Sequence, residues 1–139
     1  MKVTKILNEL LEVKEPADRV HMSLSADHKW LAFCLNGSEG TSSGISAGVS
    51  LAVSGFQQWV CELDTGKLIQ VAPDAMSSWA GVWSPDGNTL AFYADMDGAA
   101  KLWGWSPKDY NVKLLSEITV RPFFGFEKPI WTKDGRHII

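Results

Sequence analysis

The sequence predicts an all-β fold, and this prediction depends on one short pattern that occurs three times. In each copy a Ser or Thr is followed two places later by Asp, and an apolar segment comes next. The copies begin at Ser25, Ser84 and Thr132, which lie 59 and 48 residues apart. A tight turn between apolar segments is typical of a β-hairpin, and repeats of about 40–50 residues with several strands each are typical of a β-propeller. We therefore predict a partial β-propeller: two four-stranded blades, the start of a third, and a short N-terminal helix.

The clearest copy of the turn lies between Trp83 and Asn88 and reads Trp-Ser-Pro-Asp-Gly-Asn. Its proline fixes φ at the second position, its aspartate can accept hydrogen bonds from backbone amides, and its glycine tolerates a positive φ. Since matched positions recur in every copy, we expect the residues there to support the turns rather than catalysis. These predicted structural residues are Ser25, Asp27, Ser84, Pro85, Asp86, Gly87, Thr132, Asp134 and Gly135.

Residues 1–19 are predicted to be a helical leader and linker. Val3, Ile6, Leu7, Leu10 and Leu11 recur at helical spacing, which predicts an amphipathic helix over residues 3–12. We expect it to pack on the side of the propeller, and docking on another domain is the alternative.

The first blade is predicted over residues 20–78, with strands just before the first turn and at 30–35, 56–63 and 67–71. It contains a long loop, 36–55, which is rich in Gly and Ser and carries apolar residues in its second half. Loops of this length are uncommon in compact domains and are usually functional or disordered. The composition leaves two possibilities open: a segment folded against a neighbouring surface, or a solvent-exposed excursion.

The second blade and a following linker are predicted over residues 79–126, and the third blade starts within 127–139. The expected strands of the second blade are 79–83, 89–94, 99–105 and 111–115. A turn is predicted at 95–98, where Asp97-Gly98 is a two-residue hairpin signal. Five tryptophans alternate along these segments, and we expect most of them to fill the core between blades: Trp79, Trp83, Trp103, Trp105 and Trp131.

The composition argues against several classes of partner. The net charge is −3 and Lys and Arg do not cluster, so nucleic acid is not expected as a partner. No apolar run reaches the length of a membrane span, and Asn8 and Glu9 interrupt the first apolar stretch, so neither a membrane span nor a signal peptide is predicted. We expect a cytoplasmic protein.

Placing Leu35 opposite Phe56 puts Cys34 and Cys61 out of register, which predicts two free thiols rather than a disulfide.

We assign no catalytic, cofactor-binding or metal-binding residue from the sequence. Two overlapping matches to G-x-S-x-G centre on Ser42 and Ser46, but no apolar strand precedes them and the only later histidine, His137, lies inside a repeated turn. We interpret both matches as products of a Gly/Ser-rich segment. Asp95 and Asp97 form part of a calcium-loop pattern, but the other ligands of such a loop are missing. The histidines lack the spacing of a metal site.

The hairpin from Trp83 to Gly87, followed by Leu-Ala-Phe at residues 90–92, resembles the propeller repeat of the translocation protein TolB. It resembles equally the propeller of prolyl-oligopeptidase-type serine peptidases, which include dipeptidyl and acylaminoacyl peptidases. The helical leader, the imperfect first repeat and the strand at 57–60 favour the amino-terminal part of such a peptidase. The resemblance spans roughly residues 20–139.

The resemblance implies a non-catalytic propeller fragment whose parent carries a C-terminal α/β-hydrolase domain with a Ser-Asp-His triad. The propeller would then limit access of peptide substrates to that domain. Its expected partners are the remaining blades and the hydrolase domain. One alternative is a TolB-like protein-binding propeller without an enzymatic domain. Another is a half-propeller that closes a ring with a second copy of itself.

Overall fold

The computed structural model describes residues 22–37, 53–120 and 127–139. Within these ranges the chain forms eight strands and no helix. The predicted helix at 3–12, the linker at 121–126 and most of the loop at 36–55, with Ser42 and Ser46, lie outside the described residues.

The strands form two four-stranded antiparallel sheets, each with neighbours in sequence order. The first sheet contains β1 (Ser23–Leu24), β2 (Trp30–Asn36), β3 (Phe56–Glu62) and β4 (Lys67–Gln70). The second contains β5 (Ser78–Trp83), β6 (Leu90–Ala94), β7 (Lys101–Trp105) and β8 (Val112–Ser116). An isolated antiparallel bridge joins Trp131 to Ile138 beyond the second sheet. The predicted all-β fold with two four-stranded sheets is confirmed.

The turn predicted at 95–98 lies within the observed connection but is two residues too short, and Asp97 and Gly98 do not form a two-residue hairpin. Ala94 pairs with Lys101, so six residues, 95–100, connect β6 to β7. Asp95 lies beyond the last pair of the β6–β7 ladder and is bound on the β5 side: its backbone N–H donates to Ser77 O at 3.2 Å, and its carboxylate accepts the Ser77 N–H at 2.8 Å. Gly98 still provides a positive φ, of 86°, within this longer connection.

The two cysteines are buried free thiols, as predicted, although the expected register was wrong by one residue. Leu35 lies opposite Gln57 rather than Phe56, because Asn36 continues β2 and takes the position opposite Phe56. Cys34 faces the second sheet and Cys61 faces the other side, so no disulfide can join them. Burial raises the pKa of the Cys34 thiol to about 12, so this thiol stays protonated.

The two sheets pack face to face over a core rich in aromatic side chains. Trp105 lies at its centre, with the rings of Trp30, Tyr110 and Trp83 packed edge-on at centroid distances of 5.5, 5.8 and 6.0 Å. Trp79, Trp83 and Trp105 are buried, while Trp103 and Trp131 are half-buried. Most of the predicted tryptophans therefore fill the core.

A bulge in β5 shapes the junction between the sheets. Trp79 pairs with Tyr93 and Val82 pairs with Ala91, so two residues of β5 oppose one residue of β6. The first of these two residues, Ala80, has a positive φ of 57°. The bulge leaves the Gly81 N–H to find a partner outside its own sheet.

That partner is the buried side chain of Gln58, on β3 of the first sheet. Its Oε1 accepts the Gly81 N–H at 2.8 Å, and its Nε2 donates to Phe33 O at 3.0 Å. Cys34 Sγ donates to the same Oε1 at 3.1 Å, and the Gln58 backbone N–H donates to Ser78 Oγ at 2.8 Å. The amide of the Gln58 side chain thus connects both sheets, and it satisfies the backbone donor that the bulge leaves without a partner in its own sheet.

Gly81 allows this contact, because a side chain at position 81 would have to displace the Gln58 amide. A Cβ at this position would lie 2.7 Å from Gln58 Cδ and 2.8 Å from the amide nitrogen and oxygen. The close approach of β5 to Gln58 therefore depends on the missing side chain.

Substitutions at the junction test this arrangement. Gln58→Leu should lower the free energy of unfolding by about 2 kcal/mol, because it removes the hydrogen bonds of the Gln58 amide and leaves the Gly81 N–H buried without a partner. Gly81→Ala should lower it by about 2 kcal/mol through overpacking. Urea denaturation measures both changes. Gln70→Leu, on the edge strand β4, is the matched control and should change stability by less than about 1 kcal/mol; equal losses in Gln58→Leu and Gln70→Leu would contradict the proposed role of the junction.

Candidate functional site

The three repeated turns have one hydrogen-bond network, and the second turn shows it most fully. The Thr89 N–H donates to Ser84 Oγ at 3.0 Å, and Ser84 Oγ donates to Asp86 Oδ1 at 2.6 Å. Asp86 Oδ1 also accepts the Asn88 N–H at 3.0 Å. The hydroxyl and the carboxylate therefore satisfy backbone donors within a turn of six residues.

The same three bonds recur in the other turns. In the order amide to hydroxyl, hydroxyl to carboxylate and amide to carboxylate, they measure 2.9, 2.6 and 3.1 Å in the first turn. They measure 3.1, 2.5 and 3.1 Å in the third turn. In every turn the hydroxyl of the first residue thus donates to the carboxylate of the third. The pairs are Ser25 with Asp27, Ser84 with Asp86, and Thr132 with Asp134.

The fourth residue of every turn adopts a positive φ. Gly87 and Gly135 have φ of 73° and 67°, and His28 takes the same position with φ of 58°. The N–H of each donates to the carbonyl of the first residue of its turn at 2.9 Å. His28 is not among the turn residues predicted from the sequence, although alignment of the three copies places it opposite the two glycines.

The turn aspartates are held ionised. The Ser84 hydroxyl and then the Asn88 amide lower the pKa of Asp86. The corresponding hydroxyls, of Ser25 and Thr132, lower the pKa of Asp27 and Asp134. A carboxylate with a lowered pKa that already accepts two hydrogen bonds is poorly suited to proton transfer near neutral pH. The arrangement is that of a structural turn.

Asp95 is a buried carboxylate that sequence reasoning did not assign. Its Oδ1 binds the Ser77 N–H, and Ser77 Oγ in turn accepts the Gly55 N–H at 2.9 Å, so Asp95 helps to hold the chain where the loop 36–55 ends. Its Oδ2 is buried without a hydrogen-bond partner in the described part of the chain. Burial raises the pKa of Asp95, whereas its hydrogen bonds with backbone N–H groups oppose this shift.

Among the described residues, those considered for chemistry are not brought together. Ser42 and Ser46 lie outside the described ranges, and the backbone of His137 is bound to Thr132 inside the third turn. Asp97 forms an ion pair with Lys101 at 2.6 Å. Over residues 22–37, 53–120 and 127–139, no cluster of His, Cys, Asp or Glu could hold a metal ion. No helix in these ranges is long and apolar enough to cross a membrane.

The positive φ of His28 predicts that glycine would stabilise the first turn. A non-glycine residue in this conformation costs about 1–2 kcal/mol, and part of this gain is offset by the greater freedom of glycine in the unfolded chain. His28→Gly should therefore raise the free energy of unfolding by about 0.5–1 kcal/mol. The matched reverse change, Gly87→Ala, should lower it by at least as much. Urea denaturation of both variants tests the pair, and destabilisation by His28→Gly would refute the explanation.

The turn aspartates predict a loss of stability in acid. Their pKa values are lower in the folded chain than the value of about 3.9 in an unfolded chain, so their contribution is complete above about pH 4 and is lost as the pH falls through the folded values. Asp86→Asn should lower stability at neutral pH and flatten its decline below about pH 4. Urea denaturation over this pH range measures both effects. Asp74→Asn, which removes an exposed carboxylate outside the three repeated turns, is the control for the change in net charge.

Comparison with known proteins finds sequence similarity to a peptidase and a fold shared with TolB and with an acylaminoacyl peptidase. No protein-family model matches the sequence. The chain is 35% identical over 82 residues to an uncharacterized peptidase of Bacillus subtilis (strain 168), YuxL; the match covers 58% of this chain and 12% of that protein. The chain thus spans about an eighth of the length of this relative.

Solved structures with the same fold include a peptidase and a TolB protein. An acylaminoacyl peptidase in complex with Z-Gly-Gly-Phe-chloromethyl ketone matches with a TM-score of 0.58 and 17% identity, over 94% of this chain and 18% of that one. TolB from Acinetobacter baumannii matches with a TM-score of 0.56 and 17% identity, over 90% of this chain and 26% of that one. Together with the Bacillus sequence, they support the resemblance that the repeated turns predict. The chain is similar in sequence to part of a peptidase, and it has the fold of part of a TolB-like propeller.

Proposed function

We propose that this chain is a non-catalytic part of the propeller of a serine peptidase, in which the propeller limits the access of peptide substrates to a C-terminal α/β-hydrolase domain. The observation that carries the proposal is the 35% identity to a Bacillus peptidase. The fold shared with an acylaminoacyl peptidase is consistent with it. Further propeller blades and the hydrolase domain are the proposed partners, and the cytoplasm is the proposed location.

A non-catalytic role agrees with how the chain uses its reactive side chains. Each turn aspartate accepts a hydroxyl and a backbone amide, and the Cys34 thiol is protonated and bound to Gln58. These groups stabilise β-structure and leave no nucleophile, base and orienting acid in contact among the described residues. The proposal therefore assigns the serine nucleophile, its histidine and its acid to the hydrolase domain.

The junction between the two sheets supports a role as a barrier. Gln58 connects the sheets through hydrogen bonds, and the aromatic rings around Trp105 fill the space between them. A packed and hydrogen-bonded seam of this kind opens rarely, because opening would expose apolar surface and unpaired backbone groups. In a propeller, such seams would exclude folded proteins and leave other routes to the active site for short peptides.

Hydrolysis assays test the assignment of catalysis. The purified chain should not cleave acylaminoacyl or dipeptidyl chromogenic substrates. Activity that disappears in Ser42→Ala or Ser46→Ala would overturn the interpretation of these serines.

The coding sequence around the segment provides the second test. Further Asp-Gly turns followed by a strand-flanked G-x-S-x-G, then Asp and His, would support the peptidase.

Loosening the seam tests the barrier. In the full-length peptidase that this proposal implies, Gly81→Ala should raise cleavage of a long unstructured polypeptide relative to a chromogenic dipeptide, because a weaker junction opens more often. Gly98→Ala is the control outside the junction: its positive φ of 86° disfavours alanine, but an added Cβ would have no neighbour within 4 Å, so the variant strains the backbone without crowding the seam. A ratio of the two activities that is unchanged in Gly81→Ala, or changed equally in both variants, would argue against a barrier at this junction.

A TolB-like binding propeller is the second candidate, and the match to TolB over 90% of the chain favours it. Additional turns without any hydrolase motif in the surrounding coding sequence would select this function.

A self-assembling half-propeller remains a third proposal. It requires a two-fold dimer, so a monomer in light scattering at high protein concentration would exclude it.

A further inference from the structure

Asn36 and Gly37 are the single Asn-Gly pair in the sequence, and they lie where β2 ends and the loop 36–55 begins. An asparagine followed by glycine is chemically labile, because no side chain on the next residue hinders attack of its backbone nitrogen on the asparagine amide. The other asparagines precede larger residues: Glu, Thr and Val follow Asn8, Asn88 and Asn111. Asn36 is therefore the asparagine most prone to spontaneous deamidation when the chain is unfolded.

The reaction needs only the two residues and water. The Gly37 nitrogen loses its proton and attacks Cγ of Asn36, and the side-chain nitrogen takes up a proton and leaves as ammonia, which gives a five-membered succinimide. Water then opens one of the two C–N bonds of the ring. One opening gives aspartate, and the other gives isoaspartate, in which the main chain is one carbon longer.

A series of hydrogen bonds holds the Gly37 nitrogen in the folded chain. The Gly37 N–H donates to Gly55 O at 2.9 Å, and the Gly55 N–H donates to Ser77 Oγ at 2.9 Å. The Ser77 N–H donates to Asp95 Oδ1 at 2.8 Å. Ser77 and Asp95 are only 0% and 6% exposed. These bonds connect both ends of the loop 36–55 to the second sheet.

Two features of this arrangement oppose the reaction at Asn36. The Gly37 nitrogen has to give up its hydrogen bond to Gly55 before it can lose its proton and attack. Asn36 is also the last residue of β2, paired with Phe56, and the extended backbone of a strand turns the next nitrogen away from the side chain. Deamidation therefore requires local opening of the end of β2.

The fold itself explains why a glycine follows Asn36. A Cβ at position 37 would collide with Gly55 O, so the close approach of the two ends of the loop excludes a side chain there. The same missing side chain makes Asn36 reactive once the ends separate. The residue that allows the contact thus creates the chemical liability that the contact suppresses.

We propose that Asn36 is a site of spontaneous deamidation, which the hydrogen bonds from Asp95 through Ser77 and Gly55 to Gly37 hold in check. Isoaspartate at position 36 would lengthen the main chain beside the Gly37–Gly55 contact and prevent the original bond from forming again. A transient opening at the base of the loop thereby becomes permanent. The reaction requires no partner and no hydrolase domain, so it goes beyond the proposed function and does not depend on it.

Deamidation kinetics of the full chain test the proposal. The chain is incubated at mildly alkaline pH with and without concentrated guanidinium chloride. Mass spectrometry of the peptide that contains Asn36, together with enzymatic methylation of isoaspartate, follows the reaction. Deamidation should be at least about tenfold slower in the folded chain, because it requires local opening. Equal rates in the folded and unfolded chains would overturn the proposal.

Variants of the anchoring residues test the role of the hydrogen bonds. Ser77→Ala removes the acceptor of the Gly55 N–H, and Asp95→Ala removes the acceptor of the Ser77 N–H. Each should raise the deamidation rate of the folded chain by about threefold to tenfold, as expected for the loss of one hydrogen bond. Asp95→Asn retains an oxygen that can accept the Ser77 N–H, so its rate should stay closer to that of the parent.

Val112→Ala is the control for a general loss of stability. It removes methyl groups from the edge of the core on β8 and leaves the anchoring hydrogen bonds in place. Urea denaturation compares its stability with that of Ser77→Ala, and its deamidation rate should stay within about twofold of the parent. Equal acceleration in the two variants at equal stability would show that deamidation follows global unfolding, and the proposal would fail.

Hydrogen exchange of the unmodified parent gives a test that needs no variant. The Gly37 and Gly55 N–H groups should exchange at least about tenfold more slowly than in an unfolded chain, because the same opening exposes both. Exchange of the Gly37 N–H at the unprotected rate would contradict the proposal. The hydrolysis assays and the coding sequence test the proposed function separately, so failure of one proposal is distinguishable from failure of the other.

Discussion

The hydrogen bond between the side-chain amide of Gln58 and the Gly81 N–H is the contact on which the arrangement of the two sheets depends. The bulge in β5 frees a backbone donor, and burial makes an unpaired donor costly. Gln58 satisfies it while also binding the backbone of its own sheet. The missing side chain at position 81 allows the approach, and the aromatic packing around Trp105 then excludes water from the seam. Hydrogen bonding, close backbone approach and apolar packing thus stabilise the same relative position of the sheets.

The turns are stabilised in a different way, by contacts within six residues of one another. A hydroxyl and an ionised carboxylate bind the backbone of each turn, and a residue with positive φ completes it. Such a turn needs little from the rest of the fold, which explains how it recurs with Pro, Ala or Lys at its second position. The second position is instead where successive turns meet. Repetition of one local structure therefore also produces a repeated surface between blades.

The same architecture is compatible with an enzyme domain and with a binding protein, because a propeller supplies rigid walls rather than reactive groups. The shared fold with TolB and with an acylaminoacyl peptidase illustrates this. What separates the two functions is the chemistry attached to the propeller. The sequence similarity to a peptidase therefore weighs more for the proposed function than any feature of the blades.

The sequence by itself determined the all-β class, the three turns and nearly all strand positions, because these follow from apolar alternation and from hydrogen bonds between residues at most five apart. It did not determine the register at Leu35, the six-residue connection after Ala94, or the roles of Gln58 and Asp95. Each of these depends on a partner 18 or more residues away: Gln58 binds Gly81 and Asp95 binds Ser77. Only the packing of one sheet on the other brings such partners together, and a polar residue inside an apolar strand does not reveal from its local sequence which backbone group it will satisfy.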